Sequence, residues 1–314
     1  MYGQQSKPYG VLKKFRIAGA GGWDYLAVCN QKLYVSHGNQ VNILDAASGD
    51  SLGIIQNTRG VHGIALVPAL GKGFTSNGSA NTITVFDLRT QVILDSITTG
   101  ENPDAILYEP FTKTIITCNG RSNNLSVINP ETKTTIATIP VGGKPETAVT
   151  DSTGNLYVNI EDKSEIVVVD LKTFSVKAHW PLYPGSEPTG LAIDLKTERL
   201  FAACNKLLVV LHARTGKIVD MVPIGAGCDG VVFDANRNLI FTANGVGSIT
   251  VIAEKSSTKF TVVHTIPTKR GARTIAIDAQ TGTLFLPTAD FEKAVVKTGR
   301  PKMVAGTFQV LVIH

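Results

Sequence analysis

Short apolar runs recur along the whole chain, each bounded by Gly, Asn, Asp or Ser, and none follows a helical period. One pattern returns most clearly, a strand of the type V-x-V-I-D. It reads VNILD at Val41–Asp45, ITVFD at Ile83–Asp87, LSVIN at Leu125–Asn129 and IVVVD at Ile166–Asp170. LVVLH at Leu208–His212, ITVIA at Ile249–Ala253 and VLVIH at Val310–His314 complete seven copies. Before each stands a second β-branched or aromatic run: Leu33–Val35, Gly73–Thr75, Ile115–Thr117, Leu156–Val158, Leu200–Ala202, Ile240–Thr242 and Leu284–Leu286. A spacing of about forty residues with four short strands per unit is the period of β-propeller blades. The pattern predicts an all-β chain, a seven-bladed propeller of four-stranded blades.

The two ends predict how the ring closes. The last copy stops at His314, after its third strand, so its outer strand is missing. Leu12–Ile17 (LKKFRI) alternates apolar and basic residues, as a half-exposed outer strand does. It is predicted to fill the vacant edge. Residues 1–8 are then a tail and residues 9–314 one propeller domain, with an insertion at 290–306 in the last blade. Asp45, Asp87 and Asp170, each closing a third strand, are predicted as turn residues whose carboxylates bond the N–H groups that follow.

The repeats resemble the YVTN-repeat propellers, specifically the YncE-like group, over nearly the whole chain. The residues that carry the resemblance are Leu33–Ser36 (LYVS), the V-x-V-I-D strands, and the segments Asn102-Pro103-Asp104 and Lys144-Pro145-Glu146. It implies a seven-bladed ring, often exported to the periplasm or cell surface, and little chemistry. LYVS and LYVN stand where the family name has YVTN, which leaves the function open.

Composition narrows the classes. Of 314 residues, 43% are hydrophobic and 18% charged, enough apolar surface for a large core. No apolar run reaches the roughly twenty residues that a membrane helix needs. The net charge of +5 is spread along the chain, not gathered into the stripe of a nucleic-acid surface. The four cysteines form no CxxC pair, which argues against structural zinc, although Cys204 and Cys228 fall on neighbouring blades of one face. A polar N-terminus lacks the apolar core of a secretory signal. The compartment is periplasmic or extracellular if a signal was removed, and cytoplasmic otherwise.

Candidate chemistry lies where each innermost strand begins, beside the central channel. Those seven positions are Asp24, His62, Asp104, Glu146, Thr189, Asp229 and Arg273. Carboxylates crowded in one channel raise one another's pKa unless a cation, a shared proton or a basic partner intervenes. Asp104, Glu146 and Asp229 are therefore candidate ligands for a divalent metal: Ca²⁺ or Mg²⁺ with oxygen ligands alone, Mn²⁺ or Zn²⁺ if His62 joins. Without a metal the ring is an acid–base site or a wet channel of screened charges. His62, Glu146 and Arg273 are the candidate catalytic residues, as base, acid and anion clamp. A second ring follows the second strands: His37, Asn77, Asn119, Asn159, Asn205, Asn244 and Asp290, of which the histidine and the asparagines are candidates for substrate contacts together with Asp24 and Trp23. Asn77, Asn119 and Asn244 precede glycine, which makes them equally good turn residues. Trp23 and Tyr25 flank Asp24 as stacking walls, at least one of them expected in ordinary packing, and Tyr183 is a further wall. The insertion carries Lys293, Lys297, Arg300 and Lys302, a basic flap above an acidic ring.

Two functions fit. One is a small-molecule enzyme acting on a polar, anionic substrate by hydrolysis or elimination, lactonase- or lyase-like. The other is a non-catalytic propeller that binds a ligand, nucleic acid or protein.

Overall fold

A computed structural model describes residues 9–292 and 302–314. Seven four-stranded antiparallel sheets form the blades of a ring, at 23–55, 61–98, 103–140, 145–181, 191–223, 228–267 and, for blade 7, 276–313 joined by 11–16. In blades 1 to 6 the strands run in chain order from the channel outward. Among the described residues there is no α-helix, only 3₁₀ turns at Pro68–Leu70 and Glu161–Lys163. No helix is long and apolar enough to cross a membrane.

The closure is as the sequence predicts. Val11–Arg16 lies antiparallel on Gln309–Ile313, with Phe15 opposite Val310. Phe15, only 4% exposed, is the one buried residue of that strand and packs toward Phe285. Gly49 of blade 1 lies against its ring so closely that any β-carbon there would overlap it. At the channel side the same seam is stitched by Thr274 Oγ1, which donates to the Asp24 carbonyl at 2.6 Å. The outer and inner strands of one seam are thus tied by different forces, apolar contact outside and a hydrogen bond inside.

The core is a set of slabs between neighbouring blades, because each twisted sheet buries both faces. Strand residues therefore read as continuous apolar runs, as in Glu165–Asp170, where all four central residues are buried. The turn aspartates act as expected. Asp45 Oδ1 accepts from the amides of Ala47 and Ser48, Asp87 Oδ1 from Arg89 and Thr90, and Asp170 Oδ1 from Lys172. Blade 6 departs from the repeat: its outer hairpin, Ser248–Ser256 with Lys259–Pro267, has nine-residue strands. Of the insertion, Phe291 bridges Met303, and the Glu292 amide donates to Lys302. Of the expected basic flap, Lys293, Lys297 and Arg300 lie outside the described residues; Lys302 is described, 3.9 Å from Glu292.

Candidate functional site at the channel mouth

A backbone irregularity aims the channel side chains. In blades 1 to 4 the pairing of the innermost strand slips just after its first residue: between Trp23 and Leu26, Val61 and Ile64, Pro103 and Ile106, and Pro145 and Ala148. In blade 6 it slips between Cys228 and Gly230. Asp24, His62, Asp104, Glu146 and Asp229 all sit inside these bulges. A bulge adds a residue that the ladder does not pair and re-aims its side chain. Ser36 fixes the first one, accepting from the Asp24 amide and donating to the Tyr25 carbonyl, both at 3.0 Å.

The residue after the ring position is small in six of the seven blades. There the chain has Gly63, Ala105, Thr147, Gly190, Gly230 and Thr274. A β-carbon on Gly63 would come within 2.9 Å of the Asp104 carbonyl, and one on Gly230 within 2.9 Å of the Ile275 amide. Blade 1 alone carries a large residue, Tyr25. Its phenol is held well above its usual range by burial and then by the charges of Asp104, Asp24 and Glu146, which come from three blades. Tyr25 thus belongs to the charged cluster.

The bulges bring three ring members together. His62 Nδ1 is 2.7 Å from Asp24 Oδ2 and 3.9 Å from Asp104 Oδ1. One ligand atom from each of Asp24, His62 and Asp104 falls within 4.8 Å of the others, the one such group of three among the described residues. Burial alone would lower the His62 imidazole. The bond to Asp24 and the charges of Asp104, Asp24 and Glu146 outweigh it and leave it above its ordinary value. Nδ1 faces Asp24, and Nε2 has no protein partner among the described residues. Asp104 is raised to about 6, first by burial and then by Asp24. Its Oδ1 is buried without a hydrogen bond.

The other members take cationic partners. Lys144 Nζ lies 2.6 Å from Glu146 Oε1 and also contacts Glu161. Arg273 Nε lies 2.9 Å from Asp229 Oδ2. Glu146 is pushed up by burial and by Asp104, while Lys144 is pushed up by its two carboxylates. These tendencies oppose each other, and the 2.6 Å contact decides for an ionised Glu146. Among the carboxylates the proton then falls to Asp104, whose cationic neighbour, His62 Nδ1, stands 3.9 Å away and lies closer to Asp24. Asp104, Glu146 and Asp229, expected as one metal set, are not gathered around one point: Asp104 joins Asp24 and His62, and the other two are neutralised by Lys144 and Arg273. Thr189 turns to blade 6, its hydroxyl donating to the Cys228 carbonyl.

The asparagines of the second ring hold the blades. Asn77, Asn119 and Asn244 are at most 1% exposed. Asn77 Nδ2 donates to Thr82 and Thr84, Asn119 Nδ2 to Asn124 and Ser126, and Asn244 Nδ2 to Ser248 and Thr250. Each Oδ1 accepts from the threonine two residues earlier. Asn159 donates to the carbonyls of Thr189 and Gly190 in the next blade. Asn205 reaches Glu187 at 3.4 Å. These geometries give the amides to hairpins and seams. His37 is buried, its ring tilted by 30° and 4.2 Å from that of Phe308, and Trp23 stacks on Phe308 at 5.3 Å. Tyr183 is 85% exposed and walls nothing. All four thiols are free, and burial pushes Cys204 up to about 12 and Cys228 higher still, so neither offers a thiolate near neutrality.

Lys144 and Glu161 were not foreseen. The position two residues before each ring member reads Gly22, Gly60, Asn102, Lys144, Glu187, Gly227 and Gly271. A lone cation where most blades need a small or turn-forming residue is the signal in the sequence. Glu161, in a 3₁₀ turn, has no counterpart in the repeat.

No family model matches the chain, and no curated protein matches its sequence. Solved structures do match. RRP9 WD40 repeats superpose with TM-score 0.82 at 10% identity, over 97% of this chain and 98% of that one. U3-55K gives 0.80 at 10%, over 95% and 97%. Hydrazine synthase of Kuenenia stuttgartiensis gives 0.74 at 13%, over 91% and 95%. The likeness is one of fold. The chain is a seven-bladed β-propeller with WD40-like structural neighbours.

Proposed function

We propose that the channel mouth is a small-molecule active site in which Asp24, His62 and Asp104 hold a divalent cation. The single observation that carries this reading is the convergence of three ligand atoms from three successive blades within 4.8 Å, with Asp104 Oδ1 buried and unpartnered. One imidazole and two carboxylates suit Zn²⁺ or Mn²⁺ better than Ca²⁺. A bound ion would supply Lewis-acid polarisation of a substrate oxygen. The chain's own residues do the rest. Glu146, raised by burial yet kept in play by Lys144, takes a proton from an attacking water and returns it to the leaving oxygen. Arg273, half-exposed at the rim, orients an anionic substrate. The reaction class is hydrolysis or elimination on a polar carboxylate-bearing molecule, lactone opening being the simplest case.

Membership of the YncE-like group, and the export that the resemblance implies, belong to the same proposal, supported by the seven V-x-V-I-D strands. A panel of lactones, esters and uronates, assayed with Zn²⁺ or Mn²⁺, tests the activity. Turnover that falls at least about a hundredfold in Glu146→Gln supports it. Absence of turnover with every substrate and either metal leaves the channel as a ligand-binding site of a non-catalytic propeller.

A further inference from the structure

The seam between blades 7 and 1 carries a row of rings that the charged cluster does not use. His37, Phe308, Trp23 and Phe291 follow one another, with centroids 4.2, 5.3 and 6.1 Å apart in that order. The His37 ring is a neutral member: burial lowers its pKa, and neither nitrogen has a partner. At its outer end the row borders a cavity. Gly22, Trp23, Gly271, Arg273 and Phe291 line a cavity of about 180 Å³ at the channel rim. Gly271 has φ +82°, and a β-carbon on it would stand 2.7 Å from the Phe291 ring, so glycine there is what lets Phe291 form the wall.

Arg273 closes this slot with charge. Asp229 takes its Nε at 2.9 Å and thereby fixes the plane of the guanidinium. The two terminal nitrogens have no partner among the described residues, which leaves a fork able to accept a carboxylate. The walls themselves are two aromatic faces and glycine backbone. Among the described residues they offer stacking, but no set of side-chain hydroxyls or amides such as a sugar ring would require.

We infer that this slot is a subsite for a planar aromatic carboxylate, its ring packed against the wall that Trp23 and Phe291 form together and its carboxylate on Arg273. The inference rests on the reading of the channel mouth as a small-molecule site and names the substrate class: an aryl-bearing anion presented to the Asp24, His62 and Asp104 cluster. It requires neither a metal nor turnover. Its failure is therefore separable from failure of the proposed chemistry.

The test is binding in the presence of chelator, using Trp180→Phe so that Trp23 is the sole indole reporter. Benzoate, benzamide and glucuronate are the probes, followed by fluorescence and calorimetry. Benzoate should bind saturably and change Trp23 emission, with benzamide at least about tenfold weaker, as loss of a charged fork predicts. Arg273→Gln should abolish the preference for benzoate over benzamide. Phe291→Ala should weaken both ligands while leaving that preference. Arg273→Gln touches only the half-exposed rim, so its folding is checked simply by an unchanged melting curve. No saturable benzoate binding, glucuronate binding tighter than benzoate, or a benzoate affinity indifferent to Arg273→Gln each overturns the inference.

Discussion

His62 Nδ1 stands 2.7 Å from Asp24 Oδ2, across the boundary between blades 1 and 2. The pair exists because both residues occupy bulges, which turn two side chains from different sheets toward each other. It also sets the charge of the site. Without a metal, His62 holds a proton between Asp24 and Asp104.

The first prediction follows from that proton. His62 has a folded pKa above its ordinary value of about 6.5. Protonation is therefore favoured by folding: this contribution to stability is full below the unfolded value and is lost as pH rises through the folded one. NMR titration should place the His62 imidazole above the ordinary histidine range. In Asp24→Asn, burial should dominate and the titration should move downward. A midpoint unmoved by Asp24→Asn would show that the contact does not hold the proton.

Asp104 gives a prediction of the same kind from a carboxylate. Its pKa is raised to about 6, so the folded state binds a proton that the unfolded state releases at lower pH. Stability should fall as pH rises from about 4 through about 6. Asp104→Asn removes a carboxylate that burial and Asp24 both disfavour and should stabilise the metal-free protein by about 3 kcal/mol near neutrality, a tenfold change in proton affinity being worth about 1.4 kcal/mol. Equal denaturant midpoints at pH 4 and pH 7 for wild type, with no gain in the variant, would count against the crowding.

The ring closure was legible from Leu12–Ile17 and the truncated last repeat, and it predicts a mechanical weakness. Phe15→Ala deletes the one buried side chain of the closing strand and should cost about 3–5 kcal/mol, as large-to-small core changes of this type do. Removing residues 9–16 should bare the edge of Gln309–Ile313 and promote association. A monomeric, equally stable truncated protein by sedimentation and melting would contradict this role.

The blades were readable because each repeats the same apolar runs and turn aspartates, and a local pattern repeated seven times is hard to mistake. The identities of the ring residues were readable too, since they fall at one offset. Their partnerships were not. Whether Asp104 meets His62 or Glu146 depends on bulges and on the turn between blades, which no single repeat encodes. Lys144 and Glu161 were hidden for the same reason, being departures from the repeat. The asparagines of the second ring looked alike as turn residues and as ligands, and only the hydrogen bonds to Thr84, Ser126 and Thr250 assign them to the hairpins.

Gly78 tests positioning without touching a charged group. A β-carbon there would stand 2.7 Å from His62 Cδ2 and Nε2 and 2.8 Å from Asn102 Oδ1. Gly78→Ala should displace the imidazole, weaken cation binding at least about tenfold, and lower the His62 titration as its bond to Asp24 lengthens. A variant with wild-type cation affinity and an unshifted His62 would show that the imidazole has room to spare.

The cation site is tested most directly by calorimetric titration of the chelator-treated protein with Zn²⁺ and Mn²⁺ at pH 6 and pH 8. One ion should bind per chain, more tightly at pH 8 because it must displace the His62 proton, and Asp24→Asn, His62→Ala and Asp104→Asn should each lose most of the affinity. A wild-type protein that binds neither ion stoichiometrically at pH 8, or binds one just as well after His62→Ala, would contradict the site.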